Sequence, residues 1–305
     1  MAKGGIAKRK DFDVIIVGGG PGGLAVGCLL AKEGIKSAII EKAPALGGRF
    51  RAVNFHGCRV DSTVKFHASQ FGSAEATFCY KLFNHLGLPL KNKTVPWTMS
   101  LVTKEKPGKV DYFAMDPKLG AENFFEFFAF ATGVSMGEES MKEIKRIAAI
   151  TEDMSLEECR KVVNVPFADW VVNNVRDPIT QAIFQGMAPI VGAPIKDINL
   201  GMVANSLGTF NRMGSIHIWY PKPGPLEDAI IAPLAEYYKE HGGKVITNRR
   251  VRSINIENRR ATGVVAQDDN SCNMLEEYSS PVVICAIPIF EAVARNVIRK
   301  EFLRK

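Results

Sequence analysis

The chain has 305 residues, 46% of them hydrophobic and 23% charged. This is the composition of a globular protein with room for about two domains of ~150 residues each, and it excludes a wholly disordered, collagen-like or disulfide-scaffold chain. The net charge of +7 collects at the ends: Lys3, Lys8, Arg9 and Lys10 have no acid among them, and Arg295, Arg299, Lys300, Arg304 and Lys305 face only Glu301. The residues between are close to neutral, so two basic tails and no nucleic-acid-binding face are expected.

Val14–Val17 is a β-branched run without polar alternation, which predicts a strand covered on both faces. It leads directly into Gly18-Gly19-Gly20-Pro21-Gly22-Gly23. Leu24, Cys28 and Ala31 then fall at helical spacing up to Gly34, and Ser37–Ile40 predicts a second buried strand ending at Glu41. The three pieces form a βαβ unit whose crossover is right-handed. His56-Gly57 separates two short runs, Arg51–Phe55 and Cys58–Val60, and predicts a hairpin. Ser73–Leu86 reads as a helix with Ser73 as its cap and Gly87 as its stop.

From residue 91 to 220 the pattern turns helical, with segments at Glu122–Ala131, Met141–Ile150, Ser155–Val162 and Asp177–Ala188. Leu226–His241 reads as a helix in which Pro233 forces a kink or a later start. Strands follow at Lys244–Thr247, Val251–Ile256, Ala261–Ala266 and Val282–Ile287. The economical division is one discontinuous sheet domain, residues 1–90 and 221–305, interrupted by an inserted, mainly helical substrate domain at 91–220.

Six cysteines are scattered without a C-x-x-C pair, and the five histidines show no metal-ligand spacing with them, so no metal site is expected and the thiols read as buried and reduced. Residues 1–10 lack the apolar core of a signal peptide. The longest apolar run, Val14–Ala31, is broken by glycines and a proline, so no membrane span is expected. A cytoplasmic protein, at most peripheral to a membrane, is the expectation.

The glycine turn carries the chemistry. A strand, the spacing Gly18-x-Gly20-x-x-Gly23, a helix and an acid closing the next strand together make a dinucleotide fingerprint. Gly18 permits the tight turn, Gly20 lets backbone approach a diphosphate, and Gly23 lets helix and strand pack closely. The diphosphate meets the positive end of the helix. Glu41 accepts hydrogen bonds from the adenosine ribose and repels a 2′-phosphate, which disfavours NADP.

Glu41-Lys42-Ala43-Pro44-Ala45-Leu46-Gly47-Gly48-Arg49 resembles the second glycine pair of the flavoprotein superfamily that contains amine oxidases, phytoene desaturases and Rab GDP-dissociation inhibitors. The likeness continues through Tyr220–Pro225, the helix ending in Gly242-Gly243, Arg250–Ile254 (where Val251 matches the position whose backbone meets the adenine), Arg260–Val264 and Val283–Pro288. The resemblance implies an α/β fold: a Rossmann-like FAD-binding domain with the inserted helical domain. It implies FAD contacts for Gly18, Gly20, Gly22, Gly23, Glu41, Lys42, Gly48, Arg49 and Val251.

Two departures stand out. Asp61 is followed by Ser62-Thr63-Val64, where the superfamily often has a glycine. The superfamily also returns after Pro288 with a further glycine-containing segment at the flavin; none is found here, so the chain reads as C-terminally incomplete and a poor holder of FAD by itself.

Only one fingerprint is present, so no second site for NAD(P)H is expected. The resemblance implies a desaturase or dehydrogenase that passes hydride from an apolar, isoprenoid-like substrate to flavin. A flavin amine oxidase, a non-catalytic escort like the GDP-dissociation inhibitors, and an inactive fragment are the alternatives. Phe124–Phe130 could wall an apolar substrate or touch a bilayer, with core packing as the competing role. No residue is singled out as a catalytic acid or base.

Overall fold

The computed structural model describes residues 7–9, 11–62, 77–96, 98–102, 110–114, 130, 136–152, 154–186, 195–205, 217–222, 224–270 and 274–302. The chain divides into two compact units. One comprises Met1–His67, Phe78–Lys93 and Pro221–Lys305; the other comprises Ala68–Thr77 and Thr94–Tyr220.

In the first unit, β1 (Ala7–Arg9) precedes β2 (Val14–Val17), α1 (Pro21–Lys32) and β3 (Ser37–Ile40). Every residue of β2 and β3 is buried, as their unbroken apolar runs require. The hairpin β4 (Ala52–Phe55) and β5 (Cys58–Asp61) pairs Phe55 with Cys58 across a two-residue turn. His56 (φ 46°) and Gly57 (φ 80°) are both left-handed, the conformation that matches strand twist in such turns. Helix α2 is described over Phe78–Leu86; the expected cap Ser73 lies outside the described residues.

The second unit contains a hairpin, β7 (Thr98–Val102) with β8 (Val110–Ala114), which the helical pattern did not foretell. It follows β6 (Lys91–Pro96). Its described helices include α3 (Glu138–Glu152), α4 (Leu156–Lys161), α5 (Phe167–Asn174) and α6 (Pro178–Gly186). Ser155 caps α4 through a full capping box with Glu158. The core includes Ile144, Ile147, Phe167, Val171, Ile183 and Phe184, with the Phe167 and Phe184 rings edge-on at 5.8 Å. The helix expected over Glu122–Ala131 lies outside the described residues apart from Phe130, which is helical.

The chain returns on β9 (His217–Lys222), which pairs with β6. The expected kink near Pro233 is a π-turn, Glu227–Ile231, running into α7 (Ala232–Glu240). The Ala232 N–H reaches back to the Glu227 carbonyl, five residues away. The widened turn sits immediately before the proline, whose ring would crowd a regular turn. Then come β10 (Lys244–Ile246), β11 (Arg249–Glu257), β12 (Arg260–Asp268), β13 (Leu275–Ser279), β14 (Val282–Cys285) and α8 (Ile289–Ala294).

The first unit has three layers. A parallel sheet, β10-β3-β2-β14, is flanked on one side by helices and on the other by the sheet β1-β13-β12-β11. Alternation along β2 divides its side chains between two cores. Val14 and Ile16 join Leu24, Cys28, Phe83, Leu234 and Tyr238 on the helical side. Ile15 and Val17 join Val251, Val264, Ala266 and Tyr278 on the other. Each fully buried aliphatic side chain contributes roughly 1.5–3 kcal/mol. Part of each expected tail is described: Ala7–Arg9 pairs in parallel with Glu276–Tyr278, and the exposed Arg295 and Arg299 make ion pairs with Glu291 and Glu301.

Candidate dinucleotide site

The turn after β2 is shaped by what a side chain would hit. Gly18 has φ +102°, and a Cβ there would stand 2.8 Å from Ile287. A Cβ on Gly23 would stand 2.0 Å from the Gly18 carbonyl oxygen, so α1 starts hard against the end of β2. Gly20 and Gly22 differ: a Cβ on either meets nothing within 4 Å. Gly20 is the N-cap of α1 without a capping side chain, and Pro21 opens the helix. The start of α1, whose first amides have no intrahelical partner, therefore has open space at Gly20 and Gly22 and no acidic residue in its first turn, a setting that suits an anion.

The second glycine pair packs on the first. The Gly47 N–H donates to the Gly19 carbonyl at 2.7 Å, and a Cβ on Gly48 would lie 3.2 Å from Gly20 Cα. Gly47 and Gly48 both have positive φ, which only glycine adopts without strain in this setting. Arg49 follows on a short 3₁₀ turn and is exposed.

Glu41 is 7% exposed, and its carboxylate is held from both sides by backbone: Gly19 N–H donates to Oε2 at 2.7 Å and Ala43 N–H to Oε1 at 2.8 Å. The sequence left both oxygens to a ribose; here each already accepts one amide. Two oxygens offer about four acceptor positions, so room remains for sugar hydroxyls.

Glu41 lines a cleft together with Gly18, Lys42, Arg249, Val251, Glu291 and Arg295. Lys42 is exposed and bridges to Glu291 at 3.1 Å, and Arg295 Nε reaches the same Oε1 at 3.2 Å. The hydrogen bond from Lys42 holds the Glu291 carboxyl below its ordinary range.

Of the residues singled out from sequence, Gly18, Glu41, Lys42 and Val251 thus share one cleft. Gly20, Gly22 and Gly48 surround the helix start, Gly23 packs inside, and Arg49 lies outside the cleft lining. Sequence reasoning missed Arg249, Glu291 and Arg295. Only the i,i+4 spacing of the last two was a signal, and it says nothing of a cleft. Among the described residues no cluster could hold a metal ion, and no helix is long and apolar enough to cross a membrane.

The family pattern of NAD(P)-binding Rossmann-like domains matches residues 16–80. A 4,4'-diapophytoene desaturase of Methylomonas is 45% identical over 53 residues, 17% of this chain and 10% of that protein. A dihydrolipoyl dehydrogenase of Acholeplasma laidlawii is 22% identical over 80% of this chain and 71% of its own length. Among solved structures, an oxidoreductase of Methanosarcina mazei superposes with TM-score 0.68 at 19% identity, covering 95% of this chain and 62% of that one. A putrescine oxidase superposes with TM-score 0.66 at 19% identity, covering 95% and 60%.

The chain therefore has an α/β, Rossmann-like fold shared with a putrescine oxidase and another oxidoreductase, and the four proteins named above are oxidoreductases. It spans about three fifths of the length of these solved structures.

Proposed function

We propose that this chain is the FAD-binding part of an oxidoreductase that removes hydride from an apolar, isoprenoid-like substrate. The observation that carries the reading is the stacking of Gly48 on Gly20 beside the open helix start, with the Glu41 cleft behind it. A diphosphate fits the open space over Gly20 and Gly22, an adenosine fits between Glu41 and Val251, and the second glycine pair closes the turn as a flavin dinucleotide requires. The Glu41 carboxylate, anchored by two amides, grips the ribose and repels a 2′-phosphate. Lys42 and Glu291 form the rim.

Bound FAD supplies the hydride acceptor, and the protein orients it and excludes water. The apolar substrate is favoured by the local identity to a diapophytoene desaturase over 53 residues. Oxygen, a quinone or another carrier would serve as the final electron acceptor. The partner is a small hydrophobic molecule, met in the cytoplasm or at a membrane surface, and no nucleic acid.

The test is anaerobic mixing of the FAD-loaded protein with polyenes and with amines, following flavin absorbance. Bleaching by a polyene is the expected result. Bleaching by an amine alone would replace the desaturase reading with the amine oxidase one. A protein that takes up no FAD at any concentration would overturn both.

A further inference from the structure

Glu276 on β13 is 1% exposed, a position where a carboxylate is tolerated only with strong partners. Arg249 meets it twice, Nε to Oε2 at 2.8 Å and Nη2 to Oε1 at 3.3 Å, and the Tyr278 hydroxyl donates to Oε2 at 2.5 Å. Arg249 Nη1 also meets Asp268 at 2.8 Å, so one guanidinium is shared by two carboxylates from two strands.

The backbone of Arg249 faces the other way. Its N–H donates to the Glu41 carbonyl at 3.0 Å, the Asn248 N–H donates to Ala43 at 3.1 Å, and the Glu41 N–H donates to Ile246 at 2.9 Å. The connection from Ile246 to Arg249 therefore brackets Glu41 on the parallel sheet, while the Arg249 side chain is clamped to the opposing sheet. Arg249 itself lines the adenosine cleft.

Buried ion networks are expensive to desolvate and are poor sources of stability compared with apolar packing. A network that pins Arg249, whose backbone holds Glu41 and whose strand carries Val251, has a different use.

We infer that the Glu276–Arg249–Tyr278 network is a positioning device that sets the spacing of Glu41 and Val251 across the adenosine cleft, and that Glu276 is its anchor. The inference rests on the dinucleotide reading above. Glu276 touches no ligand and acts through Arg249.

The test compares two probes by calorimetry on the whole chain: ADP, which spans cradle and cleft, and inorganic pyrophosphate, which occupies the glycine cradle alone. Glu276→Gln keeps the side chain's shape and an acceptor for Tyr278 but removes the charge that holds Arg249. The expected result is an affinity for ADP lowered about tenfold or more, with pyrophosphate binding unchanged. Equal ADP affinity in wild type and variant overturns the positioning role and leaves the dinucleotide reading standing. A parallel loss of both probes also overturns it, because the network would then be merely structural. A wild-type chain that binds neither probe removes the dinucleotide reading and the inference with it. Should Glu276→Gln not fold, Tyr278→Phe, which removes one donor to Glu276 and leaves the ion pair, is read by the same comparison. A selective ADP loss of a few-fold supports the inference, and unchanged binding refutes it.

Discussion

Gly20 and Gly23 lie three residues apart, yet their replacement by alanine should damage the protein in opposite ways. At Gly23 the new Cβ would sit 2.0 Å from the Gly18 carbonyl oxygen, well inside any permitted contact. Backbone must give way, because neither partner is a movable side chain. Overpacking of this kind costs about 1–3 kcal/mol. At about 2–4 °C per kcal/mol for a unit of this size, the melting temperature should fall by roughly 5 °C. At Gly20 the Cβ meets nothing within 4 Å, and φ of −73° suits any residue. The reduced freedom of the unfolded chain and the poorer N-cap nearly cancel, each being worth about 0.5–1 kcal/mol. Stability should therefore stay within about 1 kcal/mol of wild type. The same methyl group, however, stands where a diphosphate must approach backbone amides. ADP affinity should fall about tenfold or more, a loss of at least ~1.4 kcal/mol. Urea denaturation of the ligand-free chain and calorimetric titration with ADP measure the two effects. A Gly20→Ala chain that binds ADP as wild type does would refute the cradle. A Gly23→Ala chain of undiminished stability would refute the packing argument.

Glu41→Gln should destabilise as well as weaken binding. One of the amides of Gly19 and Ala43 would face an NH₂ donor in place of an oxygen, at a cost of about 1–3 kcal/mol for the orphaned group. Urea midpoints of the ligand-free variant check it, and an unchanged midpoint contradicts the anchoring. In the second unit, the Arg146 hydrogen bond holds the Glu143 carboxyl down to about 2 from an ordinary 4.5. A lowered carboxyl stabilises fully above its unfolded value and loses that contribution as pH falls toward the folded one. Stability should therefore decline between about 4.5 and 2, and Glu143→Gln should flatten that part of the curve in acid denaturation followed by circular dichroism. Burial pushes the thiols of Cys28 and Cys79 up to about 12, while Cys58 is exposed on its hairpin. Alkylation at pH 8 with peptide mapping should label Cys58 and spare Cys28 and Cys79 until denaturant is added; equal labelling rates would contradict the packing of α1 and α2.

The βαβ start was legible because β2 and β3 are buried on both faces, so apart from Ser37 at the start of β3 their sequences carry no polar residue to confuse the pattern. The hairpin turn at His56-Gly57 was legible because local chemistry decides it. Strand β13 was not. Its inward positions are Glu276 and Tyr278, and an acid facing a core reads as a solvated position until its arginine is seen. β1 was missed because Lys8 and Arg9 resemble a tail; its pairing with β13 is made by backbone, to which side-chain charge is irrelevant. Helix α5, absent from the segments read in the sequence, ends in Asn173 and Asn174 and is held by Phe167 and Val171 in the core. In the cleft, Glu41 and Val251 were reachable from the sequence. Arg249, Glu291 and Arg295 were not, because tertiary contact alone brings them there.

The π-turn before Pro233 places one residue more in that helix than an unbroken spiral would hold. With it, Glu227 accepts from the Ala52 amide and pairs with Arg59, Asp228 pairs with Arg59 as well, and the Leu226 amide binds Asp61. The hairpin is thus fastened by its charged side, while Val53, Phe55 and Val60 on its opposite side are exposed. Removing a single residue from Glu227–Ile231 would rewind the turn by about 100° and swing both acids off Arg59. The oily side of the hairpin would then be free to roll inward, and the chain entering it from Arg49 would follow.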